Sequence, residues 1–223
     1  MTVLVTGGRG LVGSHVIEAL RAAGKPVRAF EGDVTDADAW RRAATGVAGI
    51  VHAAALVVRP LEFAEYERVN VGGTRLAVQA ARAAAARLVH LSSVAVYGRT
   101  AAYAAGRGAV SEDFPFQPIP EHDFYARSKR MAEELVRDEA ARGDLSVAAV
   151  RPNVIYGERD RTFTPRLIRV VRLGVFPQIG PGTNHLSCVY AGNVAAAIVA
   201  ALGAKRPGFR AYNVTTDAEP PPG

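Results

Sequence analysis

The stretch "VTGGRGLVG", residues 5–13, decides the fold class of this chain. It follows the apolar segment 2–6, which predicts a buried strand, and it opens the segment 11–24, which predicts a helix. Three glycines in it have G-x-x-G-x-x-G spacing: Gly7, Gly10 and Gly13. Such a loop makes a tight turn and lets a pyrophosphate approach the backbone at a helix N-terminus. A glycine-rich turn without a ligand is the alternative, because a glycine triplet alone is a weak signal.

Strand-like and helical segments alternate after this loop. Strands are predicted at "PVRAF" (26–30), "GIVHAAA" (49–55), "LVHLSS" (88–93) and "LSVAAVR" (145–151). Helices are predicted at 36–46, 63–87 and 124–143, the first with Asp36 as its N-cap. This order and the continuously apolar strands predict an α/β fold with a doubly wound, Rossmann-like parallel sheet.

The C-terminal part of the chain has weaker strand signals and more proline and glycine. Helices are predicted at 161–174 and 194–205, and a strand is predicted at 210–216. We therefore expect residues 1–152 to form a dinucleotide-binding domain and residues 153–223 to form a small substrate-binding region.

Composition narrows the classes of function. The 223 residues are 49% hydrophobic and carry a net charge of +6, but the arginines are scattered, so we do not expect a nucleic-acid partner. The single cysteine, Cys188, excludes an internal disulfide and a thiolate metal cluster, and it is expected in the core. No signal-peptide pattern is present and the longest apolar run, 47–58, is too short to span a bilayer. These features predict a cytoplasmic protein with no membrane partner and no metal site.

The segment "YARSK" carries the predicted chemistry. It places Tyr125 and Lys129 four residues apart, and hence on one face of the predicted helix. A free tyrosine has a pKa near ~10, but a nearby ammonium and a positively charged nicotinamide ring would favour the phenolate. The tyrosine could then exchange a proton with a hydroxyl or carbonyl group. An ordinary solvated helix face is the alternative interpretation.

Other polar residues accompany this pair. Ser92 and Ser93 end the strand of "HLSSVAVYG" (90–98), where ligands bind in such sheets. We expect the Ser92 hydroxyl to bond to backbone and His90 to be a packed core residue. Asn70 lies inside a predicted helix, where an amide is a mediocre choice.

Taken together, these motifs resemble the short-chain dehydrogenase/reductase superfamily, specifically its extended branch of NAD-dependent epimerases, dehydratases and 3β-hydroxysteroid-dehydrogenase-like enzymes. The resemblance is carried by "VLVTGGRGLVGSHV", "GDVTD", "VHAAA", "NVGGT", "HLSSVAVYG", "YARSK", "RPNVIYG", "VYAGNVAAA" and "AYNVT". It implies that Ser93 holds the reacting oxygen, that Tyr125 is the acid/base, and that Lys129 binds the nicotinamide ribose and lowers the tyrosine pKa. Asn70 would have a structural or proton-relay role.

The resemblance also implies the residues that bind NAD. These are Gly7, Gly10, Leu11, Val12, Gly13, Glu31, Asp33, Val34, Ala53, Ala54, Ala55, Asn70, Ser92, Tyr125, Lys129, Pro152 and Val154. Members of the superfamily often dimerise through two long helices, here about 63–86 and 124–141, so a homodimer is expected.

The segment "FEGDVTD", residues 30–36, departs from the superfamily pattern. Members usually have a helix and an edge strand between the ribose-binding acid and "GD-x-x-D", and here no residues remain to form them. We therefore expect the sheet to lack one edge strand, with Glu31 at the ribose and Asp33 and Val34 beside adenine. Glu31 would repel a 2′-phosphate, which favours NAD, whereas Arg9 or Arg28 would keep NADP open.

The segment "RPNVIYG", residues 151–157, bears on the substrate. Sugar-nucleotide enzymes usually have an asparagine where Val154 stands, and Gly192 replaces a common aspartate. The chain is also shorter at its C-terminus than the resemblance implies. We predict an NAD(P)-dependent oxidoreductase that moves a hydride between the cofactor and a secondary alcohol or ketone of a small molecule. A nucleotide-sugar epimerase or dehydratase and a non-catalytic dinucleotide-binding sensor or scaffold are the alternatives. His185 and Arg159 could line the substrate side, although solvated loop residues are the favoured interpretation.

Overall fold

A six-stranded parallel sheet forms the centre of the fold, which we describe from a computed structural model. The structure describes residues 1–57, 61–98, 110–143, 145–174, 186–204 and 207–215. The strands of the sheet are β1 (Val3–Thr6), β2 (Val27–Ala29), β3 (Gly49–His52), β4 (Arg87–Leu91), β5 (Val147–Pro152) and β8 (Phe209–Val214). Their order is β2-β1-β3-β4-β5-β8, and every neighbouring pair is parallel. The doubly wound α/β prediction is confirmed.

Helices cover both faces of this sheet. They are α1 (Leu11–Ala22), α2 (Ala37–Ala43), α3 (Phe63–Tyr66), α4 (Gly73–Ala83), α5 (Phe124–Ala141), α6 (Phe163–Arg172) and α7 (Ala191–Gly203). On one face, Leu4 and Leu88 pack with residues of α2, α4 and α5. On the other face, Val3 and Val89 pack with residues of α1 and α7. Alternate residues of one strand thus enter opposite cores, which is why the strands are apolar throughout.

The shortened segment between β2 and α2 ends the sheet at β2, as the sequence predicts. Phe30 continues the ladder by donating its N–H to the Val5 carbonyl, and its ring contacts the Trp40 ring at 4.7 Å between centroids. The Trp40 indole N–H donates to the Val34 carbonyl at 2.8 Å. Asp36 caps α2 as predicted, accepting from the Asp38 N–H at 2.8 Å. The turn therefore folds directly into a helix whose tryptophan fills the core beside the edge strand.

The predicted long helix 63–87 is interrupted by a π-helical turn, Glu67–Gly72, between α3 and α4. Such turns occur frequently at functional sites. Asn70 lies in this turn and is buried. The amide that the sequence marks as a poor helix former therefore stands where the helix leaves its regular geometry.

The C-terminal part of the chain contributes to two sheets. Strands β6 (Val154–Tyr156) and β7 (Cys188–Tyr190) form a separate two-stranded parallel sheet, which the sequence did not predict because each has only three residues. Strand β8 joins the main sheet, and α7 packs against α1. The division at residue 152 stays a prediction. Cys188 is only partly buried, so its placement in the core is wrong.

Within the described residues, no helix is both long and apolar enough to cross a membrane. These residues also hold no group of three histidine, cysteine or acidic side chains that could bind a metal ion.

Candidate active site

The glycine loop between β1 and α1 is built from two close backbone contacts. Gly7 has a φ of +68°, and a Cβ there would lie 2.8 Å from the Ala54 nitrogen. A Cβ on Gly13 would lie 2.2 Å from the Gly7 carbonyl oxygen. These two glycines therefore let α1 and the loop after β3 close around the turn, whereas Gly10 is the exposed N-cap of α1.

The N-terminus of α1 fits a pyrophosphate. Gly10 provides no side-chain cap, and the first turn contains no acidic residue. The first backbone N–H groups of a helix have no partner within the helix, and with the helix dipole they attract an anion. Leu11 and Val12, which the resemblance places at the cofactor, lie in this turn.

Thr6 organises the loop that follows β3. Its hydroxyl oxygen accepts from the N–H groups of Ala53 and Ala54, both at 3.1 Å, and is hydrogen-bonded to His52 Nδ1 at 3.0 Å. The predicted alanines 53–55 therefore lie against the glycine turn, at the carboxyl ends of β1 and β3. Sequence reasoning missed Thr6, although its place just before the glycines was a signal.

The predicted adenosine end lies at the edge of the sheet. Glu31 and Asp33 are exposed, and Val34 is buried against Gly73. Asp33 accepts from the Thr35 N–H and hydroxyl, which hold its pKa below its usual value. Arg28 donates to the carbonyls of residues 43 and 45, at 2.7 and 2.8 Å, and so closes the end of α2. This guanidinium is engaged with backbone, which weakens its predicted role at a 2′-phosphate.

The Ser93 hydroxyl lies beside the Tyr125 phenol and acts on its pKa. Ser93 lies two residues after the end of β4 and accepts from the Ala95 N–H at 3.2 Å, while Tyr125 lies in the first turn of α5. Burial has the largest effect and raises the pKa of Tyr125, the nearby Ser93 hydroxyl lowers it, and the Asp123 charge raises it. The sequence predicted that Lys129 would lower this pKa, but in the protein alone the net shift is upward because desolvation dominates.

Lys129 lies one turn further along α5 and is 3% exposed. Its ammonium donates to the Leu91 carbonyl, the last residue of β4. Burial lowers the pKa of Lys129 to about 8, although Glu133 acts in the opposite direction. The structure thus brings Ser93, Tyr125 and Lys129 to the carboxyl end of β4.

Asn70 connects two parts of the site. Its amide oxygen accepts from the Leu56 N–H at 2.7 Å, and its nitrogen donates to the Leu56 carbonyl at 3.1 Å and to the Ser128 hydroxyl at 2.9 Å. Ser128 in turn donates to the Tyr125 carbonyl at 2.9 Å. Both amide hydrogens are therefore committed within the protein, to the loop after β3 and to α5.

Ser92 points away from solvent into a buried network. Its hydroxyl donates to Glu133 at 2.6 Å, so the predicted backbone bond is wrong. Arg151 pairs with the same carboxylate and donates to the Tyr97 hydroxyl at 2.5 Å. The side chains of Glu133 and Arg151 are fully buried. The lone arginine in the apolar strand "VAAVRP" was the sequence signal for such a pair.

The structure describes most of the residues that were predicted on the substrate side. Pro152 ends β5 and Val154 begins β6, while the Asn153 amide donates to the Ser187 hydroxyl at 3.0 Å. Arg159 has a φ of +72° and pairs with Glu18 of α1.

A Cβ on residue 192 would lie 2.4 Å from the Tyr190 ring, which explains the glycine there. His185 lies outside the described residues. His90, as predicted, is packed, at 2% exposure.

The chain is similar to proteins of one known family. The model of the NAD-dependent epimerase/dehydratase family matches residues 3–215. The chain belongs to this family. It is 32% identical to a 2-alkyl-3-oxoalkanoate reductase of Stenotrophomonas maltophilia (strain K279a), over 93% of this chain and 67% of that protein. It is 31% identical to an N-acetyl-α-D-glucosaminyl-diphospho-ditrans,octacis-undecaprenol 4-epimerase of Escherichia coli O157:H7, over 95% of this chain and 66% of that protein.

A solved structure shows the same fold. MoeE5 in complex with UDP-glucose and NAD superposes with a TM-score of 0.81 and 31% identity, covering 98% of this chain and 77% of that chain. This family member spans about two thirds of the length of the two relatives named above. The predictions of an NAD-dependent enzyme of the oxidoreductase type and of a member of the epimerase/dehydratase branch are confirmed by these matches.

Proposed function

We propose that this family member is an NAD-dependent ketone reductase or secondary-alcohol dehydrogenase that uses Ser93, Tyr125 and Lys129. The observation that carries the proposal is the convergence of Ser93, Tyr125 and Lys129 at the carboxyl end of β4, where Ser93 acts on the Tyr125 pKa and Lys129 donates to the Leu91 carbonyl. A serine hydroxyl and a phenol that lie side by side can both reach one substrate oxygen. A dinucleotide bound at the uncapped N-terminus of α1, which follows β1, would reach this point across the end of β3, the strand between β1 and β4.

Ser93, Tyr125 and Lys129 would have separate roles in the proposed reaction. When bound, the nicotinamide cofactor supplies the hydride in reduction and accepts it in oxidation. Ser93 holds the substrate oxygen, and Tyr125 donates its phenolic proton as the carbonyl becomes an alcohol. Because the pKa of Tyr125 is raised, the phenol is protonated at neutral pH and is ready to act as the acid in reduction. Lys129 presents its ammonium to the cofactor ribose and favours the phenolate that the reaction leaves.

The substrate class is proposed from the residues beside β5 and β6. Val154 stands where sugar-nucleotide enzymes usually place an asparagine, and the Asn153 amide is engaged with Ser187. A valine offers no donor to a diphosphate, which favours a less polar ketone over a nucleotide sugar. The reductase from Stenotrophomonas, named for a 3-oxo acid with alkyl chains, supports this choice.

An epimerase or dehydratase acting on a nucleotide sugar is the second candidate. It is favoured by the similarity to MoeE5, which was solved with UDP-glucose, at 31% identity. Both candidates need the same proton transfer at Tyr125. They differ in the substrate and in whether the complete reaction changes the oxidation state of the cofactor.

We further propose a homodimer through α3, α4 and α5, the helices that the family resemblance marks. Light scattering at micromolar concentration tests it, and a monomer would refute it. The cytoplasmic location stays a prediction.

Turnover of NADH with a panel of alkyl ketones and 3-oxo acids tests the function. Tyr125→Phe should lower turnover by about 100- to 10,000-fold while NADH binding is kept, because only the proton donor is removed. Tyr212→Phe, a tyrosine of strand β8 away from the site, is the matched control and should keep full turnover. Binding of NADH without turnover of any ketone or UDP-sugar would favour the non-catalytic sensor instead.

A further inference from the structure

A buried carboxylate lies directly behind the proposed catalytic residues. Glu133 is four residues after Lys129 on α5, so both side chains lie on one face of the helix. Its side chain is fully buried, and it accepts from Arg151 through both carboxylate oxygens and from Arg137 at 3.3 Å. A buried charge of this kind needs such partners, because desolvation without them is costly.

The same carboxylate holds the end of β4. Ser92 donates to Glu133 at 2.6 Å, and Ser92 lies between two residues that the site uses. On one side, the Leu91 carbonyl accepts from the Lys129 ammonium. On the other side, the Ser93 hydroxyl lies beside the Tyr125 phenol and lowers its pKa. A shift of Ser92 would therefore displace the neighbours of both Lys129 and Tyr125.

The charges around Lys129 give Glu133 a second effect. Three groups act electrostatically with Lys129 from the elements packed around it: Glu133 of α5, His52 of β3 and His90 of β4. The two imidazoles have lowered pKa values and are neutral at physiological pH. Of these groups, Glu133 therefore supplies the negative charge that opposes the desolvation of the ammonium.

The proposed function is the basis of this inference. We propose that Glu133 is a positioning residue for the proposed hydride transfer: it fixes the Leu91–Ser93 turn through Ser92 and keeps Lys129 charged in its buried position. Arg151 balances the carboxylate and ties it through Tyr97 to the edge strand β8, where the Tyr97 hydroxyl donates to Asn213 at 2.9 Å.

If the ion pair of Glu133 and Arg151 had a purely structural role, substitution of Glu133 would have a different effect. Removing one partner of a buried ion pair destabilises the fold, because the other charge is left uncompensated. A structural role would therefore affect the unfolding of a variant but would leave the protonation of Lys129 as it is. The titration of the Lys129 amine separates the two interpretations.

The chain allows a direct measurement, because it has only three lysines, Lys25, Lys129 and Lys205. In a Lys25→Arg/Lys205→Arg background labelled with [ε-¹³C]lysine, NMR follows Lys129 alone against pH. The parent should titrate at about 8. Glu133→Gln, which keeps the shape and an acceptor for Ser92, should lower this pKa by about one unit or more. Glu134→Gln, the exposed neighbour on α5, is the control and should change it by less than about 0.3 units.

A second variant guards against failure to fold. Glu133→Gln/Arg151→Met leaves no unpaired arginine in the core, and it should also titrate below the parent, because Lys129 has still lost its negative neighbour. If Lys129 titrates within the range of the Glu134→Gln control in whichever of the two variants folds, the positioning role is refuted.

Turnover gives the second readout. Activity that needs the Lys129 ammonium falls as pH rises through its pKa, so Glu133→Gln should move this alkaline limb of the NADH-turnover profile to lower pH by the same interval. The NMR titration needs neither cofactor nor substrate. An unshifted titration in an active enzyme therefore refutes the role of Glu133 alone, whereas an inactive parent refutes the proposed function.

Discussion

His52 and His90 stack face to face across neighbouring strands, with ring centroids 5.9 Å apart and 29° between the planes. Both residues are almost fully buried, at 1% and 2% exposure. The His52 Nε2 and both nitrogens of His90 have no hydrogen-bond partner among the described residues. Burial, with the charge of Lys129 nearby, lowers the pKa of His52 to about 3 and that of His90 well below its usual value.

This stack predicts acid sensitivity. A histidine of the unfolded chain takes up a proton near its ordinary pKa of 6.5, whereas folded His52 does so only near 3. Between these values the unfolded chain binds more protons, so stability is full above pH 6.5 and falls as pH falls through this window. His52 alone should remove about 3 kcal/mol of unfolding free energy between pH 7 and pH 4, and His90 should add to this loss.

The contribution of the stack can be isolated by substitution. His90→Leu should reduce the loss of stability between pH 7 and pH 4 in urea unfolding experiments, because one buried protonation site is gone. The exposed His122→Leu is the control and should follow the parent. Equal pH dependence in His90→Leu and the parent would contradict the prediction.

The glycine loop gives a steric prediction. Gly13→Ala would place a methyl group 2.2 Å from the Gly7 carbonyl oxygen, so α1 must move away from the loop. We expect a loss of about 1–3 kcal/mol in unfolding free energy and a loss of NADH binding. Gly203→Ala, at the end of α7 with no atom within 4 Å of the added Cβ, should be neutral or stabilising by up to about 1 kcal/mol. Thermal unfolding and NADH fluorescence titration check both variants.

Asn70 should contribute to the stability of the fold. Asn70→Ala leaves the Leu56 N–H and carbonyl unpaired beside the cofactor loop and frees Ser128. The expected loss of unfolding free energy is about 1–3 kcal/mol, since buried polar groups lose their partners. The exposed Gln79→Ala on α4 serves as control. If Asn70→Ala unfolds in urea at the same midpoint as Gln79→Ala, the connection between the loop and α5 carries no stability.

Glu31 should set the preference between the two cofactors. Its exposed carboxylate follows the edge strand β2, where the resemblance places the ribose hydroxyls. We expect NADH to bind more tightly than NADPH, and Glu31→Gln to narrow the ratio about fivefold by removing repulsion of the 2′-phosphate. Glu62→Gln, at the start of α3, should leave the ratio unchanged. Tighter binding of NADPH by the parent would overturn the assignment.

The sequence predicted the fold and its shortened edge for physical reasons that are local. Strands buried on both faces must be apolar throughout, and the glycine loop needs positions without a Cβ, so both features appear as patterns. The missing helix and strand after β2 could be inferred because no residues were left to form them. The short strands β6 and β7 could not be inferred, since three residues carry too little pattern.

The site was predicted in part. The approach of Ser93, Tyr125 and Lys129 followed from motifs placed on a strand end and one helix face. The contacts of Thr6, Glu133 and Arg151 were missed, because their partners lie far along the chain. The Ser92 hydroxyl and the Glu133 carboxylate, for example, are 41 residues apart in sequence.

By itself, the sequence determined the α/β order of elements, the glycine turn and the identity of the residues that can do chemistry. Only the tertiary structure decided the pKa values and the ion pairing of these residues. The raised pKa of Tyr125, the lowered pKa of Lys129 and the buried pairing of Glu133 with Arg151 arise when α5 packs onto the sheet. Desolvation and charge interactions depend on what surrounds a group in space, and no local pattern of residues contains that information.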